Sequence, residues 1–261
     1  MAEINPYKAP EAHVADVSTA AADNRGFNPE GRVVAAGNGW QWISRGWELF
    51  REQPAIWIGI VVVFALLLIG LSFIPVLGSL ANALLAPVLM GGVMIGCRTL
   101  AQGEPLELGH LFAGFRQNTG SLVMVGVFNL VAVAVIMIVL VMIIGGSVMG
   151  AMMGGGGKAS AMAAGTIMLG FLVGAALYIP VYAAIWFAPA LIALHDMPPV
   201  EALKRSFAGC LKNWVAFLIY GIIGLAVAML ASIPFMLGWL VAGPVFAASV
   251  YAGYRDIYFE D

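Results

Sequence analysis

Residues 121–145 read SLVMVGVFNLVAVAVIMIVLVMIIG, a run without a single charged side chain. A helix needs about 20 such residues to cross the roughly 30 Å hydrocarbon core of a bilayer, at about 1.5 Å of rise per residue. This stretch meets that length with one strongly polar side chain, Asn129, which suits a hydrogen bond to a neighbouring helix better than a substrate contact. Five more segments of the same character lie around it, at residues 55–74, 80–100, 165–194, 214–233 and 236–254. The segment 165–194 is longer than one crossing requires and carries Pro180 and Pro189, so it reads as one kinked helix that overshoots the hydrocarbon. Residues 75–79 form a short uncharged turn, and residues 146–164 a Gly- and Met-rich loop. The fold class expected is an all-α membrane protein with six transmembrane helices.

Composition supports that reading. Hydrophobic residues make up 62% of the chain and charged residues 10%, against roughly 25% charged in a soluble domain. A net charge of −2 gives no footprint for a nucleic-acid partner. Residues 1–38 are polar and without periodicity, which reads as a flexible cytoplasmic tail, and no apolar core near Met1 suggests a cleavable signal peptide. Residues 39–261 form the membrane domain.

Charge placement orients the layout. Lys8, Arg25, Arg32, Arg45, Arg51, Arg98, Arg116, Lys204, Arg205, Lys212 and Arg255 fall on one side of the expected spans, and Lys158 alone falls on the other. The positive-inside rule makes the first side cytoplasmic, with both termini there. Cys97 and Cys210 adjoin that side, so no structural disulfide is expected.

Short amphipathic stretches precede the outward spans. Trp40, Ile43, Trp47 and Phe50 share one helical face, as do Leu108, Leu111, Phe112 and Phe115, and again Val200, Leu203, Phe207 and Leu211. Each reads as a helix lying in the membrane interface. Spans two and six also end alike: Pro87, Val88, Val93, Gly96 and Arg98 match Pro244, Val245, Val250, Gly253 and Arg255 at identical spacing. Phe112, Ala113, Gly114 and Asn118 match Phe207, Ala208, Gly209 and Asn213. The chain is therefore expected to be three helical hairpins, each preceded by an interfacial helix, at about 39–103, 104–197 and 198–261. The copies would be parallel repeats about an axis along the membrane normal.

Candidate chemistry is sparse. The central spans hold no ionisable pathway residue, and Asn82 and Asn129 make a poor proton relay. His13, His110 and His195, with Glu107 and Asp196 nearby, match no metal-ligand spacing. No Gly-x-Ser-x-Gly elbow occurs. Met142, Met149, Met152, Met153 and Met162 cluster about the outer loop, where thioethers would select Cu(I), but no His or Cys accompanies them in that loop and a flexible connector is the simpler reading. Gly92 and Gly96, Gly146 and Gly150, and Gly170 and Gly174 stand four apart, a spacing that permits close helix approach. No catalytic, cofactor-binding or metal residue is assigned, and no cofactor is expected.

The run from Asn5-Pro6-Tyr7 through Gly39-Trp40-Gln41-Trp42 and Gly46-Trp47 to Phe112-Ala113-Gly114-Phe115 resembles an uncharacterised family of proteobacterial inner-membrane proteins. The Pro-containing hairpins are more distantly similar to the membrane domains attached to some glycerophosphodiester phosphodiesterases, whose soluble catalytic domain has no counterpart here. The resemblance implies location and architecture and brings no reaction. The expectation is a non-catalytic scaffold or regulator of a membrane partner, with the bilayer and a membrane protein, a cytoplasmic protein or a second copy as partners. The alternative is a carrier or permeation path for a lipid-like or apolar small molecule.

Overall fold

A computed structural model of the chain describes residues 26–152 and 157–260, without the side chains of 147, 151, 152 and 157–163. Among these residues the regular structure is helical, apart from one isolated antiparallel bridge between Phe27 and Phe259. The elements are α1 Asn38–Glu52, α2 Pro54–Ser72, α3 Leu77–Ala101, a 3-10 helix Leu108–Phe115, α4 Thr119–Met152, α5 Gly157–Trp186, α6 Ala188–His195, α7 Pro199–Lys212, α8 Trp214–Ser232 and α9 Trp239–Tyr258. Proline opens α2 and α7 and lies within the first two residues of α6, positions where its missing N–H has no intrahelical partner to lose.

Among the described residues, five helices are long and apolar enough to cross a membrane: Pro54–Ser72, Leu77–Ala101, Thr119–Gly150, Ala164–His195 and Trp214–Ser232. The sixth expected span corresponds to α9, which has 20 residues but falls short in apolarity because it contains three tyrosines and carries Arg255-Asp256 near its end. The expected loop 146–164 is helical up to Met152 and again from Gly157, while Met153 and the glycines up to 156 lie outside the described residues. The fourth span is helical through Pro180 and breaks at Phe187, two residues before Pro189. A proline ring clashes with the carbonyl four residues back and cannot donate to it, so the interruption falls just ahead of it.

Buried residues concentrate where the short elements lie. Val88, Met94, Cys97, Ala188, Leu191, Ile192, Ala248 and Tyr254 are sealed there. The far ends of the long helices instead expose Phe73, Val141, Phe171, Leu230 and Phe235. Apolar side chains facing outward are what a hydrocarbon surrounding accepts without cost.

The short elements bury only part of each apolar stripe, Ile43 and Phe50, Leu111, and Leu203, and leave the rest outward, as helices lying in an interface would. Trp40, Trp47, Leu108, Phe112, Phe115, Val200 and Leu211 are exposed, whereas the inward faces carry Gly39, Trp42, Ile43 and Gly46 in α1, Leu111 and Gly114 in the 3-10 helix, and Ala202, Ser206, Gly209 and Cys210 in α7. Small residues there let backbones meet. A Cβ on Gly46 would lie 2.6 Å from Val245 O and 2.8 Å from Ser249 N of α9. One on Gly114 would collide with Val88 O and lie 3.3 Å from Gly92 N of α3. Ser206 of α7 donates to Ala183 O at 2.7 Å and accepts from Phe187 N at 2.9 Å, bridging the α5–α6 break. In all three places a small residue addresses a carbonyl and the amide four residues later.

Ser206→Ala is expected to destabilise by about 1–3 kcal/mol, because Phe187 N is then left buried without an acceptor. Cys210 Sγ, 3.5 Å from Ala183 O, still offers that carbonyl a weak donor. Thermal unfolding in mild detergent measures the loss, and an unchanged midpoint would show that the bridge contributes nothing.

Candidate functional site at the charged rim

The densest polar cluster surrounds Asp256, near the end of α9 and 5% exposed. Its carboxylate accepts from Trp42 Nε1 at 2.7 Å and Asn38 Nδ2 at 2.8 Å, and pairs with Arg32 Nη2 at 3.3 Å. Arg32 Nε donates to the Asp256 carbonyl at 2.8 Å.

Arg32 belongs to the segment 26–37, which was expected to be part of a flexible tail. It is stitched down: Asn28 N donates to Tyr258 O and Arg32 N to Ile257 O, each at 2.8 Å, and Glu260 N donates to Gly26 O at 2.9 Å. Lys212 Nζ donates to Glu30 O at 2.8 Å, and Arg205 pairs with the carboxylates of Glu30 and Glu201. The Glu30 bond, first, and the nearby acidic charges hold the Arg205 guanidinium above its usual range. Residues 1–25, the rest of the expected tail, lie outside the described residues.

Three carboxamides sit at the starts of α2, α4 and α8. Gln53 Oε1 accepts from Leu106 N at 3.1 Å. Asn118, in the left-handed region at φ 58°, donates to Ile192 O at 3.2 Å and to the Asp196 carboxylate. Asn213 accepts from Val34 N at 2.8 Å and donates to Arg32 O and Gly209 O, both at 2.9 Å. Each grips the segment leading into one of the short elements: the 3-10 helix, α7 and α1 in turn.

The positions singled out by matching spacing occupy this architecture as follows. Pro87 and Pro244 are buried one residue ahead of the carbonyls that Gly114 and Gly46 face. A Cβ on Gly96 would meet Leu106 and His110, and one on Gly253 would meet Trp42 and Phe187. Gly209 faces Tyr258, whose hydroxyl donates to Arg205 O at 2.8 Å. Arg98 and Arg255 are half-buried, the latter 3.9 Å above the Phe259 ring. Phe112 and Phe207 are exposed, and Asn118 and Asn213 are the carboxamides just described.

His110 Nδ1 accepts from Glu107 N at 3.0 Å in a capping box, and His195 meets the Tyr254 hydroxyl and stacks on Phe27. Among the described residues no group of three His, Cys, Asp or Glu side chains is placed to hold a metal ion. Met142 and Met149 are exposed, and the side chains of Met152, Met153 and Met162 lie outside the described residues. Gly92 and Gly96 receive the 3-10 helix, Gly170 and Gly174 receive Ile144 and Leu140, and Gly146 and Gly150 face open space. Sequence reasoning missed Asp256, Gln53 and Ser206. Gln53 carried a usable signal, a carboxamide at the start of an apolar run as in Asn118 and Asn213, whereas nothing local marks Asp256.

Residues 40–254 match a protein family described as Domain of unknown function (DUF7847). The chain belongs to that family. It is also 32% identical over 203 residues to a probable inner membrane protein of Burkholderia thailandensis, covering 75% of each chain. No solved structure matches. The matched family residues hold the short elements, the carboxamides and the long helices, while the segment 26–37 and Asp256 lie just outside them.

Both cysteines are buried, and burial pushes the Cys210 thiol up to about 12, with a Ser206 hydrogen bond pulling slightly the other way. The thiolate attacks maleimide, so native protein at pH 8 is expected to label at neither Cys97 nor Cys210, and SDS-unfolded protein at both. Fast labelling of native protein would place these thiols at an accessible surface.

Proposed function

We propose that this protein is a non-catalytic inner-membrane scaffold or regulator, in which six spans in three out-and-back hairpins carry a stiff cytoplasmic rim for a membrane or cytoplasmic partner. The observation that carries the reading is cyclic seating. The 3-10 helix packs on α3, α7 packs on the α5–α6 break, and α1 packs on α9, so each short element sits on the second long helix of the preceding pair. Such an arrangement is what three parallel repeats about an axis along the membrane normal would give, with the third closing on the first. Its inner faces are consumed by backbone contacts, leaving Trp40, Trp47, Phe112 and Phe115 to the interface and Arg45, Glu48 and Arg51 of α1 to a partner. The likeness to membrane domains of glycerophosphodiester phosphodiesterases concerns this hairpin pattern, and no activity follows from it.

Native mass spectrometry from mild detergent tests the role: a second chain at fixed stoichiometry supports it, and the protein alone with lipid counts against it. Reporter fusions test the topology. Fusions at Pro75 and Pro234 should report the periplasm and a fusion after Glu260 the cytoplasm; a periplasmic C-terminus would remove the sixth span.

A second reading, carriage of a lipid-like molecule, is favoured by one feature. An open groove of about 340 Å³ between α2, α3 and the 3-10 helix is lined by Leu67, Leu71, Leu85, Leu89, Phe112 and Phe115, without a polar surface atom. Lipid transfer between liposomes that survives Leu85→Trp would separate the groove from any such activity.

A further inference from the structure

We propose that the segment 26–37 is a clasp that closes the rim at one seam, and that this seam alone opens reversibly. The inference rests on the three-unit reading and adds a moving part to it. Gln53 grips the linker before the 3-10 helix, Asn118 the linker before α7, and Asn213 the segment before α1. In the first two cases the gripped linker is also covalently continuous with the long helix on which the next short element sits. At the third seam no peptide bond joins α9 to α1. Residues 26–37 stand in for the linker instead, laid against residues 257–260 by the Phe27–Phe259 bridge and flanking backbone hydrogen bonds.

At this seam ion pairs and hydrogen bonds stand where the others have a covalent linker. Beside those backbone bonds, the pairs Arg32–Asp256 and Arg205–Glu30 and the Lys212 ammonium on Glu30 O hold the clasp; Glu30, Arg205 and Arg32 keep substantial solvent exposure, while Asp256 is 5% exposed. Exposed pairs weaken as salt screens them, whereas a covalent linker does not. Release would free the Arg32 side of Asp256 and loosen Asn38 and Trp42, which share that carboxylate, so α1 is the element set loose. A cytoplasmic partner that competes for Glu30 or Arg32 would therefore regulate whether α1 is seated.

Amide hydrogen exchange on the full chain in detergent micelles, at about 0.05 and 0.5 M salt, reads the three seams separately. The amides of Asn28, Arg32 and Val34 are expected to lose protection by about tenfold at high salt, with Leu106 and Asp196 unchanged. The Glu30→Gln/Arg32→Gln chain should show the same loss at low salt. A Phe27→Cys/Phe259→Cys chain should lose its salt response when oxidised and regain it when reduced, since facing bridge residues lie close enough for a disulfide. Equal loss at all three seams, or salt-independent protection of the clasp, overturns the proposal even if the double variant fails to accumulate. The topology and stoichiometry tests of the scaffold reading are unaffected by either result.

Discussion

Asp256→Ala is expected to lower stability by about 2–4 kcal/mol, because it removes the acceptor of the buried Trp42 indole and of half-buried Asn38 and takes the carboxylate from Arg32. The upper end of the range for breaking a buried pair is not reached, since the Arg32 side chain is 35% exposed and water takes over part of its solvation. Asp256→Asn keeps an acceptor for the indole and should lose only about 1–2 kcal/mol. Arg32→Gln should lose about 1 kcal/mol or less, as expected of a partly screened pair. Thermal midpoints of the three variants in one detergent rank the effects. Should Arg32→Gln prove as damaging as Asp256→Ala, the ion pair would be the dominant contact and the indole and carboxamide bonds would be incidental.

Gly114→Val is expected to abolish folded protein, the largest effect of any single change. Its Cβ would run into Val88 O, a backbone atom inside a long helix that cannot swing aside as a side-chain tip can. Overpacking an ordinary core costs about 1–3 kcal/mol. Here the whole 3-10 helix must lift from α3, taking the buried Leu111 with it. Gly46→Val should act in the same way through Val245 O and Ser249 N, though α1 also has Trp42 to hold it. The control is Gly221→Ala in α8, where a Cβ meets nothing within 4 Å and helix propensity should improve stability by about 0.5–1 kcal/mol. Yield of monodisperse protein after extraction, followed by a denaturation midpoint where protein is obtained, separates the cases. Normal yield for Gly114→Val would mean that the short element is not seated on α3 in the membrane.

Much of the helix plan was legible because hydropathy is a property of one segment at a time. The runs at 55–74, 80–100, 121–145, 165–194 and 214–233 each became a helix able to cross a membrane. The run at 236–254 became α9, whose burial rather than its apolarity explains its composition. A tyrosine-rich helix would face hydrocarbon poorly, but Tyr251, Tyr254 and Tyr258 point inward. The matched spacings around Pro87 and Pro244 were legible as well, and they fall where glycines of two short elements meet the backbone.

The rim was harder to read. Trp40, Trp47, Phe112 and Phe115 stay outward as interfacial helices require, but the stripes do not show that Ile43, Phe50 and Leu111 turn in. Next to a bilayer the large apolar side chains can face outward, and van der Waals packing of small residues fixes the inner face. The sequence alone therefore determined that the chain is built of apolar helices and where five of the six expected runs lie. Only the tertiary structure decided which face of each short element turns in, that residues 26–37 are bound, and that Asp256 is their anchor. Those outcomes depend on pairs such as Arg32 and Asp256, 224 residues apart in the chain, and no local pattern encodes which distant donor a carboxylate will meet.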